Sequence, residues 1–190
     1  MSGLKDNVVN VTFLNIRQGR IVVKEQGAIK EYGAVEGEIR KVQFVEEEYE
    51  GKKVEKARIY MNAVGQSFVL SIKVDSGYFR GFVNSLRSST NPKSMVEIQP
   101  HMSKDGKKQT TCFVSQNGIT LKHFFTKNNI GDLPQLEKFE FKGETKYDNT
   151  KQIEYWKKWI NETFNEPTDG SSSIVEPISE VSKSLDDLPF

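Results

Sequence analysis

The residues of this sequence best placed to do chemistry together are aromatic rings set among cations at alternating positions. In Lys56-Ala57-Arg58-Ile59-Tyr60-Met61 every second residue is apolar, and Lys56, Arg58 and Tyr60 fall on the opposite parity. Successive side chains of an extended strand point to opposite faces, so this spacing gathers two cations and a ring on one side. An exposed ring can stack an unpaired base, worth ~1–3 kcal/mol per base, while neighbouring cations neutralise phosphates. Lys73 on the following strand, Arg40 and Phe44 on the preceding one, and Lys104, Lys107 and Lys108 in a later loop can extend such a path. Taken singly, each of them also suits an ordinary exposed strand or loop position.

Catalytic arrangements are thin by comparison. The chain has no Gly-rich phosphate loop followed by Lys and Ser or Thr, and no Cys and His set at zinc-ligand spacing. His101 and His123 are the only histidines and Cys112 the only cysteine. Glu36, Glu38 and Asp75 are scattered carboxylates that suit solvated strand ends. The expectation is a non-enzymatic protein that needs no cofactor or metal.

The cationic face must be positioned by a sheet. From Ala34 to Val74 three strands succeed one another. The first begins with Val35 and Ile39 on one parity and ends with Val42 and Phe44 on the other, which predicts an inserted residue, a bulge, near Arg40 and Lys41. The second carries Ala57, Ile59 and Met61 inward. The third alternates Phe68, Leu70, Ile72 and Val74 with Ser67, Val69, Ser71 and Lys73. Ser76 then caps a helix whose Phe79, Phe82, Val83 and Leu86 form one apolar stripe able to plug a barrel end. A fourth strand runs from Met95 to Met102, with Asp105-Gly106 as a hairpin signal before a fifth, Thr110 to Gln116. Asn117-Gly118 turns that strand into an apolar run, Ile119 to Phe125. Strand, strand, strand, helix, strand, strand is the order of a five-stranded Greek-key barrel of the oligonucleotide-binding (OB) type, whose ligands lie on strands 2 and 3 and the adjoining loops.

Additional segments flank this unit. Val8 to Ile16 and Arg20 to Lys24 read as two short N-terminal strands of plain sheet surface, although Arg17, Arg20 and Lys24 can add to a basic rim. Phe139-Glu140-Phe141 reads as an edge strand. Ile153, Trp156, Trp159, Ile160 and Phe164 form the apolar side of a C-terminal helix, where the tryptophans read as packing. The predicted organisation is therefore mainly β: one OB-type domain with its extensions over residues 1–164, then a disordered acidic tail over 165–190.

Composition supports a soluble globular chain, with 36% hydrophobic and 28% charged residues. No apolar run approaches the ~20 residues of a membrane-spanning helix, and the start lacks the apolar region of a secretory signal. With a single cysteine, these features lead to the expectation of a reducing cytoplasm and no membrane partner. The net charge of +1 conceals an asymmetry: residues 165–190 carry −5 and the remainder +6. A basic body attracts polyanions, and an acidic tail can compete for the same surface.

The last five residues, Asp186-Asp187-Leu188-Pro189-Phe190, combine two carboxylates, a rigid Leu-Pro step and a terminal ring. Such a peptide fits a pocket with an apolar floor and a basic lip. Together with the strand order and the polar linker, this ending resembles bacterial and phage single-stranded DNA-binding proteins. In that family an OB barrel is followed by a flexible linker and an acidic tip ending in an aliphatic residue, Pro and Phe. The resemblance implies coating of single-stranded DNA in replication, recombination or repair. It further implies recruitment of replication or recombination proteins through Asp186, Asp187, Leu188, Pro189 and Phe190. The tip here is poorer in Asp than is usual in that family, the linker is short, and residues 1–33 and 124–164 have no counterpart in the compact bacterial form. Those extras resemble a phage version and carry no implied oligomeric state. A different class also remains open: a protein-interaction or virion-assembly module that uses the barrel as scaffold and the tail as docking peptide.

Overall fold

The computed structural model describes residues 11–25, 27–105 and 108–165. The tail from Glu166 onward, its tip Asp186, Asp187, Leu188, Pro189 and Phe190, and the loop residue Lys107 lie outside the described residues.

Among the described residues the alternating segments form eleven strands. β1 (Val11–Arg17), β2 (Arg20–Glu25) and β3 (Ala28–Tyr32) precede β4 (Val35–Tyr49), β5 (Lys52–Ala63) and β6 (Gln66–Lys73). Helix α1 (Gly77–Leu86) then leads to β7 (Met95–Met102), β8 (Thr110–Gln116) and the two-residue β9 (Ile119–Thr120). β10 (Glu137–Phe141) and β11 (Glu144–Asp148) form a separate hairpin, and α2 (Thr150–Ile160) continues into a π-helical turn, Asn161–Asn165.

Nine strands make one sheet in the order β3-β2-β1-β6-β5-β4-β7-β8-β9. Within it, β7-β4-β5-β6 is a Greek key: three hairpin-connected strands, and a fourth that returns through α1 to lie beside the first. β4 serves two partners. Its start, Val35 to Glu38, pairs with β7, and from Glu38 onward it pairs with β5. The expected bulge sits at the handover, because Ile39 faces Met61 and Lys41 faces Tyr60, leaving Arg40 unopposed. An extra residue bends the strand there, which carries the inward parity from Ile39 to Val42, both fully buried.

The expected closed five-stranded barrel is not formed: the sheet is an open ladder. Closure would need β6 to pair with β8. Instead, the free edge of β6 is taken by β1, in parallel register from Val11 opposite Ser67 to Asn15 opposite Ser71, and that of β8 by β9. Side-chain packing fills the gap. The β1–β2 turn donates its Gly19 N–H to the Tyr78 hydroxyl of α1 at 2.8 Å and abuts the backbone of Met102 at the end of β7. Ser76 caps α1 as predicted, accepting from the Phe79 N–H at 3.2 Å. The helix buries Phe79, Phe82, Val83 and Leu86. It lies so close to β8 that a Cβ on Gly81 would come within 2.6 Å of the Cys112 nitrogen.

In the apolar run from Ile119 to Phe125, strand pairing ends at Thr120, and α1 captures the chain beyond it. Asn84 accepts from the Phe125 N–H at 2.8 Å through its side-chain oxygen and donates to the Phe125 carbonyl at 3.0 Å. Phe125 thereby joins the core beside Trp156 and Ile160 of α2. The end of the described chain is also tied down: the Asn165 amide accepts from the Val42 N–H at 3.3 Å and donates to the Val42 carbonyl at 2.6 Å. Val42 lies past the stretch of β4 that pairs with β7, so this side chain stands in for a missing strand.

Candidate nucleic-acid interface

Sheet register builds the candidate site from rows of facing residues. On the outer face, Lys41 of β4 lies opposite Tyr60 of β5, Tyr60 opposite Val69 of β6, and Val69 opposite Phe13 of β1. The next row is Gln43, Arg58, Ser71 and Asn15, and the one after it Val45, Lys56 and Lys73. Lys56, Arg58, Tyr60 and Lys73, picked from the sequence, therefore share one face. Phe13 joins them, although its alternation with Val11 reads only as plain sheet surface. Val69 shows how this face is built: it has outward parity and stands outside the main core cluster, yet it is only 1% exposed. With Tyr60 and Phe13 on either side, it forms the centre of an aromatic and aliphatic platform.

Four cations beside the platform, Arg58, Lys56, Lys73 and Arg40, are already partnered. The Arg58 guanidinium donates to Glu47 at 2.9 Å and the Lys56 ammonium to the other oxygen of the same carboxylate at 2.6 Å. Burial works to raise the Glu47 carboxyl, but the hydrogen bonds from Lys56 and Arg58 outweigh it and hold the group below its ordinary value. Lys73 lies 3.3 Å from Asp75, and Arg40 pairs with Glu38. Tyr60 donates its hydroxyl to the Gln43 amide at 3.0 Å, which fixes the ring's outer end. These pairs are at least partly exposed, so exchanging a carboxylate for a phosphate costs little.

Phe44 does not belong to this face. Beyond the bulge it takes the inward parity, meeting Phe79 edge-on at 6.1 Å and lying 5.2 Å beneath the Lys157 ammonium, which itself pairs with Glu55. Its ring is used in packing. Lys104 and Lys108 are exposed in the β7–β8 loop, which is closed by hydrogen bonds between Ser103 and Gln109. Between that loop and the Tyr60 platform lies the β4–β7 seam, where Glu36 faces Glu97 and Glu38 faces Met95. An acidic strip therefore separates the two groups of cations. A second outward ring pair, His101 and Phe113 at 5.7 Å, occupies the β7–β8 surface.

Other candidates for chemistry are placed apart. Cys112 is buried under α1, and burial pushes its thiol up to about 12. Among the described residues no group of three or more His, Cys, Asp or Glu is arranged to hold a metal ion. No helix among them is long and apolar enough to cross a membrane. Trp156 and Ile160 are buried as the sequence predicts, so the tryptophan in the core is a packing residue. Compared with family models, curated proteins and solved structures, the chain matches none.

Proposed function

We propose that this chain coats single-stranded DNA with little sequence preference, without catalysing a reaction, and recruits replication, recombination or repair proteins through its acidic tip. In this reading β4 to β8 with α1 are an OB-type unit whose ladder has been opened by the N-terminal hairpin, and the site of action is the cytoplasm of a bacterium or of a phage-infected host. The observation that carries the reading is the row Lys41, Tyr60, Val69 and Phe13 beside Arg58 and Lys56. Tyr60, Arg58 and Lys56 lie on the second strand of the Greek key and Val69 on the third, where OB-type proteins hold single strands, with Lys41 and Phe13 flanking them on β4 and β1.

The test is titration of the full chain with labelled oligo-dT and with a matching duplex at two salt concentrations, beside a version lacking Ser184 to Phe190. Preference for the single strand is expected, with log affinity falling by ~0.7 per phosphate neutralised for each log unit of salt. The shortened chain should bind at least as tightly and lose its partners. Equal affinity for duplex and single strand, or loss of binding on shortening, would overturn this division of labour.

A second reading has its own observation. The β10–β11 hairpin turns at Lys142-Gly143, and it leaves Phe139 45% and Phe141 49% exposed on one face, with the Lys146 ammonium 4.7 Å from the Phe141 ring. Exposed rings on a separate hairpin favour a protein-interaction or assembly module. That class would show no salt-sensitive affinity for single strands.

A further inference from the structure

The N-terminal hairpin has two faces. Inward, Leu14, Ile21 and Val23 join the core, which explains why β1 and β2 are held firmly in the gap beside β6. Outward, β1, β2 and β3 line an open groove of about 460 Å³ whose walls include Phe13, Asn15, Arg17, Val22, Lys24 and Ile29. Phe13 is 54% exposed and Ile29 48%, so the floor of this groove presents uncovered apolar surface. Glu25 also borders it, but its carboxylate is paired with Lys30 at 2.5 Å. Phe13, Lys24 and Asn15 then offer a ring, an ammonium and an amide along the groove.

Register makes this groove continuous with the Tyr60 platform. Phe13 stands two strands from Tyr60 in the same row, a separation of ~10 Å at the usual spacing between strands. The neighbouring row runs unbroken from Gln43 through Arg58, Ser71 and Asn15 to Val22. A flexible chain of bases and phosphates lying on Tyr60 therefore meets Phe13 next, and then Lys24. Resting on the single-strand reading above, we infer that the outward groove of β1 to β3 is a second stretch of the nucleic-acid contact, with Phe13 stacking a base and Lys24 meeting a phosphate. The hairpin thereby lengthens the binding path past the strands that an OB-type unit supplies.

The experiment is a titration of oligo-dT of graded length against the wild-type chain, Phe13→Leu, Phe13→Trp, Lys24→Gln and Tyr60→Leu. Leu keeps an apolar cover beside Val69 while removing the ring, so folding is preserved and stacking is lost. On long oligonucleotides Phe13→Leu should lower affinity by about fivefold to about 150-fold, and Phe13→Trp should restore it. Lys24→Gln should reduce the salt slope by ~0.7. On oligonucleotides too short to leave the β5–β6 platform, Phe13→Leu should match wild type while Tyr60→Leu still weakens binding. If Tyr60→Leu weakens binding but Phe13→Leu and Lys24→Gln match wild type at every length, the hairpin is scaffold and the inference fails. No binding by wild type would overturn the single-strand reading itself.

Discussion

On the outer face of β5 and β6, Tyr60 lies half-buried with Lys41 opposite and Arg58 beside it, its ring held by the sheet. At the C-terminal end of α1, by contrast, Arg87 is enclosed by Phe124, Phe125, Tyr155 and Trp159, with its guanidinium carbon 5.2, 5.4, 5.2 and 5.6 Å from their centroids. The side-chain chemistry of the two regions is alike, and their states differ. A sheet holds neighbouring side chains ~4.8 Å apart on a shallow surface, so its rings cannot wrap a cation. Around Arg87 the rings come from the segment after β9 and from α2, and they close on the guanidinium from several sides. A cation at a helix C-terminus also complements the helix dipole. Rings that surround their own cation serve the fold, while on the sheet face the neighbouring Arg58 and Lys56 are paired with a carboxylate and the rings do not enclose them.

Substitutions that separate stability from binding can break this comparison. The largest effect is expected at Trp156, fully buried and 5.3 Å from Phe125. Trp156→Ala should cost ~3–5 kcal/mol of stability, seen as a lower urea midpoint. At matched folded fraction it should leave affinity for single strands unchanged. Tyr60→Ala should do the reverse, losing ~1–3 kcal/mol of binding free energy for oligo-dT while moving stability by less than ~1 kcal/mol. Were Tyr60→Ala to unfold the chain, or Trp156→Ala to abolish binding at full folding, the two regions would not have the separate roles drawn here.

Gly81 sharpens the structural side. Helix propensity alone predicts that Gly81→Ala gains up to ~1 kcal/mol. The close approach to β8 predicts a loss of ~1–3 kcal/mol, because a Cβ would press on the Cys112 nitrogen and the Thr111 hydroxyl. Thermal or urea unfolding of this variant decides between them.

What the sequence made legible follows from range along the chain. The bulge at Arg40 is visible as a change of parity between Ile39 and Val42, the cap at Ser76 as a residue type before an apolar stripe, and the faces of β5 and β6 as simple alternation. All three are local. Gly77 and Gly81 read locally as weak helix formers, whereas their use is a contact with Thr110, Thr111 and Cys112 on a strand that follows β7. Phe13 reads as plain surface in the sequence because its partner β6 lies far along the chain, and no periodicity announces a parallel pairing. The same pairing opens the ladder that strand order alone predicts to close. Phe44 carries a local signal against the outer face, since its parity matches that of buried Val42.

Glu47 is the smallest lever on the comparison and the most direct one. Its carboxylate lies diagonally across the β4–β5 hairpin from Lys56, and it holds both Lys56 and Arg58. Glu47→Gln should release them, raising affinity for oligo-dT at low salt and steepening the salt dependence by ~0.7 for each cation that then meets a phosphate. The same substitution reports on pH. Because the native carboxyl titrates below the 4.5 of a free glutamate, its ionised form stabilises the fold above that value, and the contribution is lost as pH falls through the lower native value. Urea midpoints of wild type and Glu47→Gln should therefore differ at neutral pH and converge in acid. If Glu47→Gln changes neither affinity nor salt slope while oligo-dT still binds, phosphates do not reach Arg58 and Lys56, and the path over the sheet must run along the Phe13 side instead.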